Sequence, residues 1–128
     1  MPDRAFPITY ASDVGRAARF YEALGFERHF QLPEQGEPGY VGLRRGPNDL
    51  AVVSRQWPQD RFGVEAGTAP RFEMFVYVDD VDAALAAQRE AGTRVLREPE
   101  DMPWGERVAY VADPDGTPVA LAAPIVQP

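Results

Sequence analysis

The chain has no cysteine, no lysine and a single histidine. Without cysteine there can be no disulfide, no thiolate metal site and no cysteine nucleophile. His29 is the one imidazole, and neither a Ser-His-Asp arrangement nor a Gly-rich phosphate loop occurs. No apolar run approaches the roughly 20 residues that span a bilayer. The segment from Met1 to Phe6 lacks the basic and apolar blocks of a secretory leader. A cytoplasmic protein with no membrane partner is therefore expected. All 13 cationic side chains are arginines, set against 20 acidic ones, for a net charge of −7. That excess repels nucleic-acid backbones, so no nucleic-acid partner is expected. It either steers a cationic small molecule inward or simply keeps the protein soluble.

What is present fits one ordinary domain, residues 1–128, with 45% hydrophobic residues. From Asp13 to Gly25, Val14, Ala17, Ala18, Tyr21 and Leu24 recur at helical spacing. Asp13 is placed to cap the first turn and Gly25 to end the helix in a left-handed conformation. Asp80 to Gly92 reads the same way, with Val81, Ala84, Leu85 and Ala91 as its stripe. The two helices are in register at an offset of 67 residues, and Tyr10 falls on Tyr77 at the same spacing. So does the turn Gly46-Pro47-Asn48-Asp49, which falls on Asp113-Pro114-Asp115-Gly116.

Each copy opens with a strand-like run, 6–11 or 72–78, and follows its helix with three more. These are 27–32, 40–44 and 50–55 in the first copy, and 94–97, 106–112 and 118–122 in the second. The fold class is α+β, two tandem βαβββ modules over 5–55 and 71–123 with a linker at 56–70.

A chain of this plan resembles the vicinal-oxygen-chelate superfamily of glyoxalases, extradiol dioxygenases and bleomycin-resistance proteins. The resemblance rests on Asp13-Val14, Phe20-Tyr21-Glu22, Leu24-Gly25-Phe26, Val78-Asp79-Asp80-Val81 and Asp113-Pro114-Asp115-Gly116. It implies a cupped mixed sheet and, in enzyme members, a divalent metal held by ligands on the first and last strand of each module. Those positions correspond to Phe6, Val53, Glu73 and Ala120. A catalytic ion needs several N or O donors converging at about 2 Å, and only Glu73 can donate. A shift of one residue supplies no good ligand. No metal, no cofactor and no catalytic residue is therefore expected, and metal-dependent lyase or dioxygenase activity is not.

Strand alternation puts Phe6, Ile8 and Tyr10 on one face, and Glu73, Phe75 and Tyr77 on another. These rings either wall a pocket for a planar ligand or fill a core. Trp104, in Met102-Pro103-Trp104-Gly105, resembles the groove tryptophan of the antibiotic-binding branch; the alternative is a loop anchor. Trp57 and Phe62 in the linker suggest a dimer contact or a lid. Phe30 and Tyr40, with Leu32, flank a loop that arches over a pocket, while Arg44-Arg45 reads as a solvated turn. The expected ligand set is Tyr10, Phe30, Tyr40, Trp57, Phe62, Glu73, Phe75, Tyr77 and Trp104. The expected function is non-catalytic sequestration of a bulky, partly aromatic, antibiotic-like natural product by a homodimer. The alternative is a metal-independent isomerase or cyclase with Glu73 as general base and Tyr10 or Tyr77 as acid.

Overall fold

A computed structural model describes residues 3–125; Met1 and Pro2 of the N-terminal segment read above lie outside it. The chain divides into two compact units, one running to Thr68 and the other from Ala69. Each is a four-stranded mixed sheet with a helix on one face. In the first unit the elements are β1 (Ile8–Ala11), α1 (Val14–Glu22), β2 (Glu27–Leu32), β3 (Tyr40–Arg45), β4 (Asn48–Ser54) and α2 (Trp57–Phe62). The second has β5 (Met74–Tyr77), α3 (Val81–Glu90), β6 (Val95–Asp101), β7 (Glu106–Ala112) and β8 (Pro118–Pro124). Strand orders are β1-β4-β3-β2 and β5-β8-β7-β6; β1–β4 and β5–β8 are parallel, and the other pairs of these sheets are antiparallel.

The helices start as their sequences dictate. Asp13 and Asp80 sit in extended backbone, and each carboxylate accepts from the amide three residues on, Arg16 or Ala83, at 3.0 Å. Gly25 and Gly92 take positive φ just past the helix ends. Val14, Ala17, Ala18 and Tyr21 are buried on α1, with the Tyr21 ring edge-on to Phe20 and Phe26. On α3 the stripe is Val81, Leu85 and, unexpectedly, Gln88. Gln88 is tolerated because Thr93 donates to its amide oxygen at 2.6 Å. Ala91, assigned to the stripe, is exposed instead because it is already the C-cap.

Several boundaries differ from the expected ones. Phe6 and Pro7 precede β1, and Glu73 precedes β5. Proline brings no N–H to the ladder, although the Pro7 carbonyl still accepts from Ala51 at 3.1 Å. The segment 56–70 contains α2, closed by Gly63 at positive φ and tied down by Arg55 donating to the Ala66 carbonyl. The repeat offset also fails to hold throughout. Ile8 pairs with Ala51 but Phe75 with Ala120, so the last strand is displaced by 69 residues while the first is displaced by 67. The two extra residues enter stepwise, because the rows that match Phe30 with Arg97 at 67 match Gly42 with Tyr110 at 68 and Ala51 with Ala120 at 69.

Candidate ligand-binding site

In both units the helix covers one sheet face, and the other carries most of the residues singled out above. Cross-strand pairing arranges the exposed face of the first unit in rows. One row holds Ile8, Ala51, Gly42 and Phe30; the next holds Tyr10, Val53, Tyr40 and Leu32. The Phe30 and Tyr40 rings meet edge-on at 5.7 Å, and Tyr40 meets Trp57 of α2 at 6.4 Å. Phe30, Tyr40 and Trp57 thus form one aromatic chain. Phe62, at 57% exposure, makes no ring contact with them.

In the second unit one row holds Phe75, Ala120, Tyr110 and Arg97, and the next holds Tyr77, Ala122, Val108 and Glu100. Small Ala120 and Ala122, with Val108, form a buried floor against which Met102 and Tyr110 pack. Phe75 and Tyr77 stand on this face 6.0 Å apart and partly exposed. Two carboxylates border the rings. The Tyr110 hydroxyl donates to Glu73 Oε1 at 3.1 Å, and the Trp104 indole N–H donates to Glu106 Oε1 at 2.8 Å. Tyr77 also donates to Glu106, and this bond to a carboxylate raises the tyrosine's pKa. Burial and the Glu73 bond do the same to Tyr110. Trp104 itself is 59% exposed, with its indole oriented by Glu106.

The four positions inferred for metal ligands fall two in each unit. Phe6 precedes β1 and lines a pocket of the first unit, while Val53 sits in the Tyr10 row, fully buried. Ala120 sits in the Phe75 row, and Glu73 lies two residues before Phe75, ahead of β5. Val53 and Ala120 are therefore not counterparts, since Val53 pairs with Tyr10 and Ala122 pairs with Tyr77. Within each unit the donor set does not fit a divalent cation. Among the described residues no three His, Asp or Glu side chains converge on one point. His29 Nε2 lies 4.0 Å from Asp49 Oδ1, and that carboxylate is already held by Arg4 and Arg44 at 2.7 and 3.1 Å.

Sequence reasoning gave no site role to Tyr110, Arg4 or Asp49, and none to Met102 and Glu106 beyond their place beside Trp104. Tyr110 and Glu106 shared the parity of the right face on β7, but that face is recognisable only once the β7–β8 register is known. His29, set aside as remote, lines a pocket together with Phe6. Among the described residues no helix is long and apolar enough to cross a membrane.

Residues 7–121 match the family model described as Glyoxalase/Bleomycin resistance protein/Dioxygenase superfamily. The chain is 34% identical over 111 residues to a protein of Mycobacterium tuberculosis and Mycobacterium bovis named "Putative glyoxylase CFP32". That stretch is 87% of this chain and 40% of the mycobacterial protein, so the chain spans well under half of that relative. A glyoxalase-related enzyme from Fulvimarina pelagi superposes with a TM-score of 0.77 at 27% identity, over 95% of this chain and 88% of that one. The bleomycin resistance determinant encoded on transposon Tn5 superposes with a TM-score of 0.66 at 26% identity, over 98% of this chain and all of that one.

Proposed function

Because the chain belongs to the Glyoxalase/Bleomycin resistance protein/Dioxygenase superfamily, we propose that it binds a bulky, partly aromatic natural product and sequesters it unchanged. The observation that carries this reading is the aromatic face of the second unit. Phe75, Tyr77 and Trp104 remain exposed there beside two carboxylates fixed by hydroxyl and indole donors. Rings left in water on a rigid sheet favour stacking, at about 0.5–1.5 kcal/mol per aromatic pair beyond the area buried. Glu73 and Glu106 attract a cationic or hydroxyl-bearing ligand, in keeping with the net charge of −7. The Tn5 relative, a bleomycin resistance determinant, supports an antibiotic-like ligand. In this reading the protein is a cytoplasmic homodimer that needs no cofactor, because one small chain leaves a large ligand exposed.

A second reading is favoured by the Glu73–Tyr110 pair. A metal-independent isomerase or cyclase would use Glu73 as general base, and its proton donor would be Tyr110, the tyrosine in contact, in place of Tyr10 or Tyr77.

Titration with bleomycin and mitomycin C separates the readings. Saturable quenching of indole fluorescence, abolished by Trp104→Phe, and recovery of the ligand at unchanged mass support sequestration. A changed ligand mass that Glu73→Gln prevents supports the enzyme. Quenching that persists at full amplitude in Trp104→Phe removes the second-unit face from the site.

A further inference from the structure

The first unit holds a pocket of about 260 Å³ whose chemistry is opposite to that of the aromatic face just described. Arg4, Phe6, His29, Phe30 and Asp49 are among its walls, and Gly42 and Ala51 form the floor. Local structure builds it deliberately. The β2–β3 register shifts between Arg28 and Phe30, a bulge that turns His29 onto the same face as Phe30. Beneath it Gly42 has no side chain, and a Cβ there would lie 3.2 Å from His29 Nε2. The imidazole therefore rests directly on β3.

The charges of the pocket are unevenly paired. Asp49 has a side chain only 10% exposed and receives one guanidinium on each oxygen, Arg4 Nε on Oδ2 and Arg44 Nε on Oδ1. Those two bonds hold the Asp49 carboxyl below its ordinary pKa. Arg44 is not part of the pocket wall and suffices to neutralise Asp49, which leaves the Arg4 charge unbalanced toward the cavity. Both contacts use Nε, so the Nη amino groups have no partner among the described residues. Arg4 also lies 4.6 Å above the Phe6 ring, which braces the guanidinium plane.

We propose that this pocket is a separate ligand site for a small planar monoanion, a carboxylate carried on an aromatic or conjugated ring. A guanidinium with free Nη groups takes a carboxylate in a planar, two-bond fit. Phe30 and Phe6 contact the ring, and His29 supplies one further donor. The volume admits a single ring rather than a bulky natural product. Every residue involved lies in the first unit, and none of them belongs to the Phe75, Tyr77 and Trp104 face of the proposed sequestration.

The test uses the single histidine as reporter. Imidazole resonances of the labelled full chain are followed during titration with benzoate, with neutral benzamide and with cationic benzylamine. Benzoate is expected to shift the His29 signals saturably and at least tenfold more tightly than either control, with Trp104 fluorescence unchanged. Arg4→Gln should bring benzoate down to the benzamide level, and Arg4→Lys should recover part of the difference. Arg4 is about half exposed, so a thermal melt should show the variants folded; if one is not, the wild-type benzoate-to-benzamide ratio decides alone. Equal shifts from benzoate and benzamide, or a benzoate affinity unchanged in a folded Arg4→Gln chain, overturn the proposal.

Discussion

Replacing Gly42 by alanine should have an effect whose sign depends on His29. Gly42 lies in the middle of β3 and its φ is not positive, so an L-residue fits the backbone. A Gly→Ala change at a compatible site stabilises by about 0.4–1 kcal/mol, chiefly by reducing the freedom of the unfolded chain. Here, however, the new methyl would meet His29 Nε2 at 3.2 Å and Cε1 at 3.4 Å, and the imidazole would have to lift off the strand. The Phe30 Cβ, also at 3.4 Å, is at the edge of ordinary van der Waals contact. Gly42→Ala alone should therefore be neutral or destabilising. In a His29→Ala background the same change should recover the gain. The expected coupling is about 1 kcal/mol, within the range for residues in contact. With a urea m-value of about 2 kcal/mol/M, this appears as a relative midpoint shift of roughly 0.5 M. If Gly42→Ala stabilises equally in both backgrounds, His29 does not rest on β3 and the pocket described above loses its floor.

The matching caps give a second measurement. Asp13→Ala and Asp80→Ala should each cost about 1 kcal/mol in urea denaturation, while the asparagine variants retain most of that; equal losses for Ala and Asn would refute the capping role. Arg107 donates to Asp82 and holds its carboxyl below the ordinary 3.8. A carboxylate with a depressed folded pKa contributes stability that is complete above 3.8 and lost as the pH falls below it. The stability difference between wild type and Asp82→Asn should therefore shrink on acidification below that value, and a pH-independent difference would contradict the pairing. For Tyr77 the sign is reversed, because its raised pKa favours the neutral hydroxyl, and the contribution is lost only as pH rises beyond the ordinary 10. Glu106→Gln should move part of the 295 nm tyrosinate titration back toward 10; an unchanged curve would show that the hydroxyl does not donate to Glu106.

The framework was legible because its signals are local. Asp13 and Asp80 announce the helix starts, Gly25 and Gly92 the ends, and alternation places Ile8 with Tyr10 and Phe75 with Tyr77 on one face. What escaped notice depends on pairing across strands. Tyr110 meets Glu73 only because β7 is bonded to β8 and β8 to β5 in a particular register. His29 reaches its pocket through a bulge that its own alternation does not reveal. The α2 helix begins at Trp57-Pro58 in a segment whose prolines and glycines read as a linker, although proline suits a first helical turn. The apolar floor of Ala120 and Ala122 under Tyr110 and Met102 likewise belongs to the packing of the sheet and to no single segment.

The displaced register of the last strand governs how residues can be moved between the two units. Copying a side chain from one unit to the other at a spacing of 67 lands correctly on the first strand and helix, but one row away on the last strand, where the equivalent spacing is 69. Because the discrepancy is an even number, the transplanted residue keeps the same face of the sheet and changes only its neighbours. A difference of one residue in that strand would have turned its buried and open faces inside out. One residue gained before β7 and one between β7 and β8 together slide the last strand along the surface while keeping its buried face inward. The two surfaces could then diverge, one toward paired arginines around Asp49 and the other toward tyrosines on glutamates, without either sheet having to refold.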